Sequence, residues 1–297
     1  MTADWRSACL LAFALLNPPV VSAEATPVTC AGEWRVDSRA DGAKITYQMF
    51  APESANGRAI VIVHGSGQSS RSNAWYARLS QDLLQHGYLV ALPDKRGSGR
   101  SAGDWKTASF ETLAGDTSAV IFDLSNRCAL DFRNVGVVGV SQGGQITAIV
   151  AKDHPQLGFA VNLVGSTTPL HAALKHEERN NLTGRGVPKW LARPGAAISA
   201  WTLRTFRQRR FWKAVGNFDP ASYWKNVQVT SRVVLAELDR NTPTEESARI
   251  IRSLGNPRVT VEVIPGVAHD LVIVDEAGAP RMHPRVLEII DDLARVR

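Results

Sequence analysis

No apolar run in the chain is long enough to cross a bilayer. The longest, residues 8–16 (ACLLAFALL), falls far short of the roughly 20 residues that a spanning helix needs. Cysteine is scarce too, with three in 297 residues, which excludes a disulfide-dense scaffold. No Cys/His spacing matches a zinc site, so no metal and no other cofactor is expected. Acidic charge is scarce in one place only. The chain carries 34 Lys and Arg against 28 Asp and Glu, a net charge of +6, yet residues 167–230 alone hold eleven basic against three acidic residues. The rest of the chain is therefore slightly acidic, and the basicity belongs to one segment. No nucleic-acid-reading module accompanies that charge, so nucleic acid is not an expected partner. What remains, 44% hydrophobic and 21% charged, is ordinary for a soluble chain with a sizeable core. The sequence carries no signal for an oligomeric state.

The N-terminus has the layout of a secretory signal peptide. Arg6 precedes the apolar run, Asn17-Pro18-Pro19 breaks any helix, and Val21-Ser22-Ala23 supplies small residues for cleavage before Glu24. Residues 1–23 are thus expected to be removed and the protein exported to the periplasm or beyond the cell. Cys9 would leave with that segment. Cys30 and Cys128 would remain in an oxidising compartment, where one disulfide between them is expected; two independent buried thiols are the alternative.

Beyond residue 30 the periodicity alternates. Residues 32–38 and 43–50 read as an antiparallel hairpin around Ala40-Asp41-Gly42. Short β-branched runs follow at 59–63 (AIVIV), 88–92 (YLVAL), 135–140 (VGVVGV), 159–164 (FAVNLV), 232–237 (RVVLAE) and 259–264 (VTVEVI). Most are continuously apolar, as strands covered on both faces are. Helix-period segments lie between and after them, at 74–86, 109–128, 142–153, 244–254 and 284–296. This succession predicts an α/β fold with a doubly wound, mostly parallel sheet. Residues 167–230 break the rhythm and are expected to form an inserted helical cap, with the core divided between residues 24–166 and 231–297.

Three residues on this layout carry chemistry. Gly139-Val140-Ser141-Gln142-Gly143 matches G-x-S-x-G and stands between a predicted strand and a predicted helix, the setting that motif needs. Asp239 follows the strand RVVLAE, and His269 follows the last strand in "IPGVAHDLV". A parallel sheet gathers all its strand ends at one edge, so these distant residues can meet there. Two further stretches, "VIVHGSGQSSR" and "LPDKRGSGRS", follow earlier strands.

These two stretches and three positions, in their order along the chain, resemble those of the α/β-hydrolase superfamily over nearly the whole chain from the hairpin onward. The resemblance implies that Ser141 is a nucleophile, His269 its base and Asp239 the acid that orients the imidazole. It implies that the backbone N–H groups of Ser66 and Gln142 form an oxyanion hole, with His64, Gly65 and Gly67 as the supporting loop. In this reading His64 holds a structural hydrogen bond, and Asp94 and Arg96 organise their own turn. The insertion would line the substrate pocket. Its tryptophans Trp190, Trp201, Trp212 and Trp224 favour an apolar or aromatic acyl group. Its arginines Arg204, Arg207, Arg209 and Arg210 either draw in an anionic substrate or form a solvated or membrane-facing surface. The expected function is a serine hydrolase, of carboxylesterase type, acting on a small-molecule ester, thioester or small amide. An aminopeptidase or acyltransferase of the same fold is the nearer alternative, and a non-catalytic binding protein the more distant one. Only Glu177, Glu178 and Asp219 could hold a substrate amine in the cap, which ranks esterase above peptidase.

Overall fold

The computed structural model describes residues 30–276 and 278–296; the expected signal segment, residues 1–23, lies outside them. Ten strands and nine α-helices follow in chain order among the described residues. The first hairpin is β1 (Gly32–Asp37) and β2 (Lys44–Phe50), turned at Gly42 with a φ of 75°. Then come β3 (Ala59–Val63), α1 (Ala74–Gln85), β4 (Leu89–Pro93), α2 (Phe110–Arg127), β5 (Val135–Val140), α3 (Gln142–Asp153) and β6 (Phe159–Leu163). Four helices stand where the insertion was expected: α4 (Leu170–Gly184), α5 (Lys189–Thr202), α6 (Arg209–Val215) and α7 (Pro220–Trp224), with a π-turn at Leu203–Arg207 between the middle two. The chain returns to the sheet with β7 (Ser231–Ala236), α8 (Thr244–Ser253), β8 (Val259–Ile264), a small hairpin of β9 (Val272–Val274) and β10 (Pro280–Met282), and α9 (Pro284–Arg295).

The eight-stranded sheet has the order β1-β2-β4-β3-β5-β6-β7-β8. The hairpin strands pair antiparallel, β2 also joins β4 antiparallel, and every other ladder is parallel. Strand residues alternate between two cores. From β3, Ile60 and Ile62 pack against α1 and α9 through Leu79, Leu83 and Ile289, while Val61 and Val63 pack toward α2 and α3 through Val120 and Ile149. Coverage on both faces explains why these strands read as unbroken apolar runs.

Chain order reverses at β3, which has β4 on one side and β5 on the other. In a doubly wound sheet the crevice beyond the carboxyl ends of such strands is where ligands bind. The loop at His64 leaves β3 there, and Ser141 leaves β5 beside it, since Val63 and Gly139 are paired across the ladder. Cys30 and Cys128 are joined by a disulfide that ties the start of the hairpin to the end of α2. The β9–β10 hairpin was not anticipated, because two three-residue strands present no periodicity to read. No described helix is long and apolar enough to cross a membrane.

Candidate active site

Ser141 sits between β5 and α3 in a conformation few L-residues adopt, with φ 55° and ψ −118°. Such strain persists only where the surroundings enforce it. Here they do: Ser141 N–H donates to Leu163 O at 2.8 Å, and the glycines around it are closed in by backbone. A Cβ on Gly139 would lie 2.1 Å from Gly143 O, and one on Gly143 would lie 2.1 Å from Val63 O. The strand and the helix therefore approach as closely as backbone permits, and the serine is lifted toward the sheet edge.

Asp239 lies just past β7 with its carboxylate fully buried. One oxygen accepts N–H bonds from Asn241 and Thr242 at 2.8 and 2.9 Å; the other accepts from His269 Nδ1 at 2.7 Å. With Nδ1 committed as donor, a neutral His269 presents Nε2 as a free base. His269 is a quarter exposed and borders the same cavity as Ser141. Among the described residues no hydrogen bond joins Ser141 Oγ to His269, so the arrangement is open at that one link. Catalytic bonds of this kind commonly tighten only around substrate.

The loop after β3 is held from several sides. His64 Nε2 meets Pro93 O at 2.6 Å and Ser69 Oγ meets Nδ1 at 2.9 Å. Burial lowers the imidazole to about 4, so it is neutral. A carbonyl can only accept, so Nε2 carries the proton and Nδ1 accepts from Ser69. Both nitrogens are thus occupied by neighbours, Pro93 O and Ser69 Oγ. Gly65 N–H donates to Tyr76 Oη at 2.6 Å, and Gly67 takes a φ of 79°. Ser66 and Gln142 both border the cavity, and among the described residues no protein acceptor takes either backbone N–H. Asp94 accepts from the N–H groups of Arg71 and Arg100, and Arg96 is clamped between Asp116 and Asp41, so both residues serve their turn.

Sequence reasoning passed over Lys95. Its Nζ donates to Gly65 O at 2.6 Å and to Gln142 Oε1 at 2.7 Å, so one buried amine bridges the two segments that carry the expected oxyanion donors. Burial lowers it to about 7. The signal was its place inside the Asp94–Arg96 turn, but a lysine's burial is not written in its neighbours.

The cavity over Ser141 encloses about 650 Å³. Trp75, Trp105, Phe211 and Trp212 give it aromatic walls, two from the core and two from the insertion. Among its described lining residues there is no Lys or Arg; the charged ones are Glu177, Glu178 and Asp270. The two glutamates come from α4, and burial, with Glu178 close by, raises the Glu177 carboxyl above its ordinary value. Trp224 is buried elsewhere in the core, and Trp190 and Trp201 are exposed. Among the described residues no group of three or more His, Cys, Asp or Glu could hold a metal ion.

A family model described as "Alpha/beta hydrolase family" matches residues 60–280. A non-heme haloperoxidase of Rhodococcus erythropolis is 33% identical over 267 residues, covering 79% of this chain and 92% of that protein. A non-heme chloroperoxidase of Burkholderia pyrrocinia is 27% identical over 274 residues with the same coverage. Among solved structures, an esterase of Pyrococcus furiosus superposes with a TM-score of 0.63 at 17% identity, covering 93% of this chain and 96% of that one.

Proposed function

The chain belongs to the alpha/beta hydrolase family, and from that premise we propose that it is a serine hydrolase that cleaves a carboxylic ester through an acyl-enzyme. The observation that carries this reading is the bond from His269 Nδ1 to the buried carboxylate of Asp239, at the cavity onto which the strained Ser141 opens. Ser141 Oγ attacks the acyl carbonyl while His269 Nε2 takes its proton. The N–H groups of Ser66 and Gln142 receive the oxyanion, a contribution worth ~10²- to 10³-fold in turnover for each donor. The tetrahedral adduct collapses, His269 returns the proton to the departing alcohol, and water repeats the sequence to free the acid. Asp239 holds the imidazole tautomer and stabilises the imidazolium.

A fluorophosphonate probe tests this reading. Folded wild-type protein should carry one adduct, located on Ser141 by mass spectrometry. Ser141→Ala should carry none there, and His269→Ala should label at least about a hundredfold more slowly, the upper range of general-base catalysis being ~10⁴-fold. An unlabelled Ser141 in folded wild-type protein would mean a binding protein on this fold.

One observation favours a second reading. Glu177 and Glu178 line the cavity with no cation among its described lining; Glu178 accepts from Ser199 and Asn181, which leaves Glu177 as the carboxylate suited to a substrate ammonium group. An amide with a free amino terminus would then be the substrate. Turnover of aminoacyl anilides that falls at least about tenfold in Glu177→Gln, with simple esters unaffected, distinguishes the two readings; tenfold corresponds to about 1.4 kcal/mol of lost binding.

A further inference from the structure

Helix α5 is apolar on two faces. Ala192, Ala196 and Ala200, one per turn, are buried toward α4. The large residues point the other way: Trp190, Ile198 and Trp201 are 75%, 65% and 59% exposed. At 100° per residue these three fall within one quadrant of the helix. Phe206, in the π-turn that follows, is 64% exposed and meets Trp201 edge-on at 5.4 Å. An ordinary surface helix does the reverse, burying its bulk and showing charge. Exposed apolar surface of this extent marks a place where something binds.

The charge around it says what. Trp190 borders a hollow with Arg179, Lys189 and Arg193; Trp201 borders another with Arg204, Arg209 and Lys213. Among the described residues, none of Lys189, Arg193, Arg204, Arg207, Arg209 and Lys213 pairs with a carboxylate, and no acid lies in either hollow. Exposed indoles, an isoleucine and a phenylalanine set among unpaired cations match the interface of an anionic bilayer, where rings sit at headgroup depth and cations meet lipid phosphates. A second copy fits poorly, because its own cationic face would be repelled. Ile198 gives a nucleic-acid base nothing to stack on.

We propose that the outward face of α5 and the π-turn after it dock the protein on an anionic lipid surface. The same segment reaches the candidate site, since Leu203 and Gln208 line the cavity over Ser141 while Trp201 and Phe206 stay outside it. Of the four arginines that sequence alone left between substrate and surface, Arg204, Arg207 and Arg209 are thereby assigned to the surface, while Arg210 pairs with Asp104 at 3.4 Å. The proposal does not depend on whether Ser141 reacts.

Sedimentation with extruded vesicles tests it, using protein freed of residues 1–23 so that their apolar run does not contribute. Partitioning should be at least about tenfold stronger onto phosphatidylcholine vesicles containing phosphatidylglycerol than onto pure phosphatidylcholine, and should fall steeply with added salt, which screens exposed charge. Trp190→Ser/Trp201→Ser/Phe206→Ser should lose most of that binding at low salt. Arg204→Gln/Arg207→Gln/Arg209→Gln should lose the preference for anionic lipid. Circular dichroism and melting curves establish that both variants are folded. The proposal is overturned by equal partitioning onto both vesicles, by no partitioning, or by folded variants that bind like wild type. It is equally overturned if the apolar variant abolishes a dimer seen by analytical ultracentrifugation while vesicles never bind, or if nucleic acid binds and vesicles do not.

Discussion

Lys95 poses the sharpest residue-scale question, because an amine is an expensive group to bury. Its two acceptors, Gly65 O and Gln142 Oε1, offset part of that cost whether or not the amine is charged. Burial favours the neutral form and lowers the group from 10.5 to about 7. Between those values the unfolded chain binds a proton that the folded chain does not, so stability must rise with pH across that window. Below about 7 both states are protonated and the full penalty is present; above 10.5 both are neutral and it is gone. Urea titrations at a series of pH values should give wild type a positive slope, on the order of 1 kcal/mol per pH unit, relative to Lys95→Met. Parallel profiles for the two proteins would mean that the amine is neutral or charged in both states alike. His64 shows the contrasting outcome at this scale. Its setting in the His-Gly loop already suggested a structural bond, and both ring nitrogens are occupied.

Among the elements, the junction of β5 and α3 was the most legible, because its glycines are required by backbone contact rather than by packing taste. Gly139→Ala places a methyl where Gly143 O already stands. The strand and helix must part, at a cost of about 1–3 kcal/mol for overpacking, and Ser141 must lose part of its strained geometry. Probe labelling of Gly139→Ala should therefore fall more than its melting temperature alone accounts for; labelling that merely tracks the folded fraction would show that the strain is dispensable. Strands β3 to β8 were readable for a related reason, since burial on both faces forces continuous apolar runs. The β9–β10 hairpin was not, because its six residues include Arg281 and Pro280 and carry no pattern. Nor could the sequence say which way α4 faces. Glu177 and Glu178 looked too few to matter, yet the helix turns both toward the cavity, while the arginines downstream stay out of it.

Across the whole molecule, strand order was beyond the sequence, but one long-range tie was not. The argument from compartment led to Cys30 and Cys128, and they are bonded. Their position explains what the bond is for. β1 is an edge strand whose residues alternate between half-buried and exposed, so it has little core of its own to hold it. The disulfide fixes its start to the end of α2, reinforced by Trp34 Nε1 donating to Cys30 O at 2.9 Å and by Arg127 lying over the Trp34 ring at 3.9 Å. A bridge that closes a loop of 98 residues restricts the unfolded chain strongly, and such bonds contribute about 2–4 kcal/mol. Cys30→Ala/Cys128→Ala should lower the urea midpoint accordingly, and wild type treated with a reductant should fall to the same value. Protein recovered after export should yield no reactive thiol when denatured without reductant. Two titratable thiols there, together with unchanged stability on reduction, would mean that Cys30 and Cys128 stay reduced in the exported protein and that the bond contributes nothing to its stability.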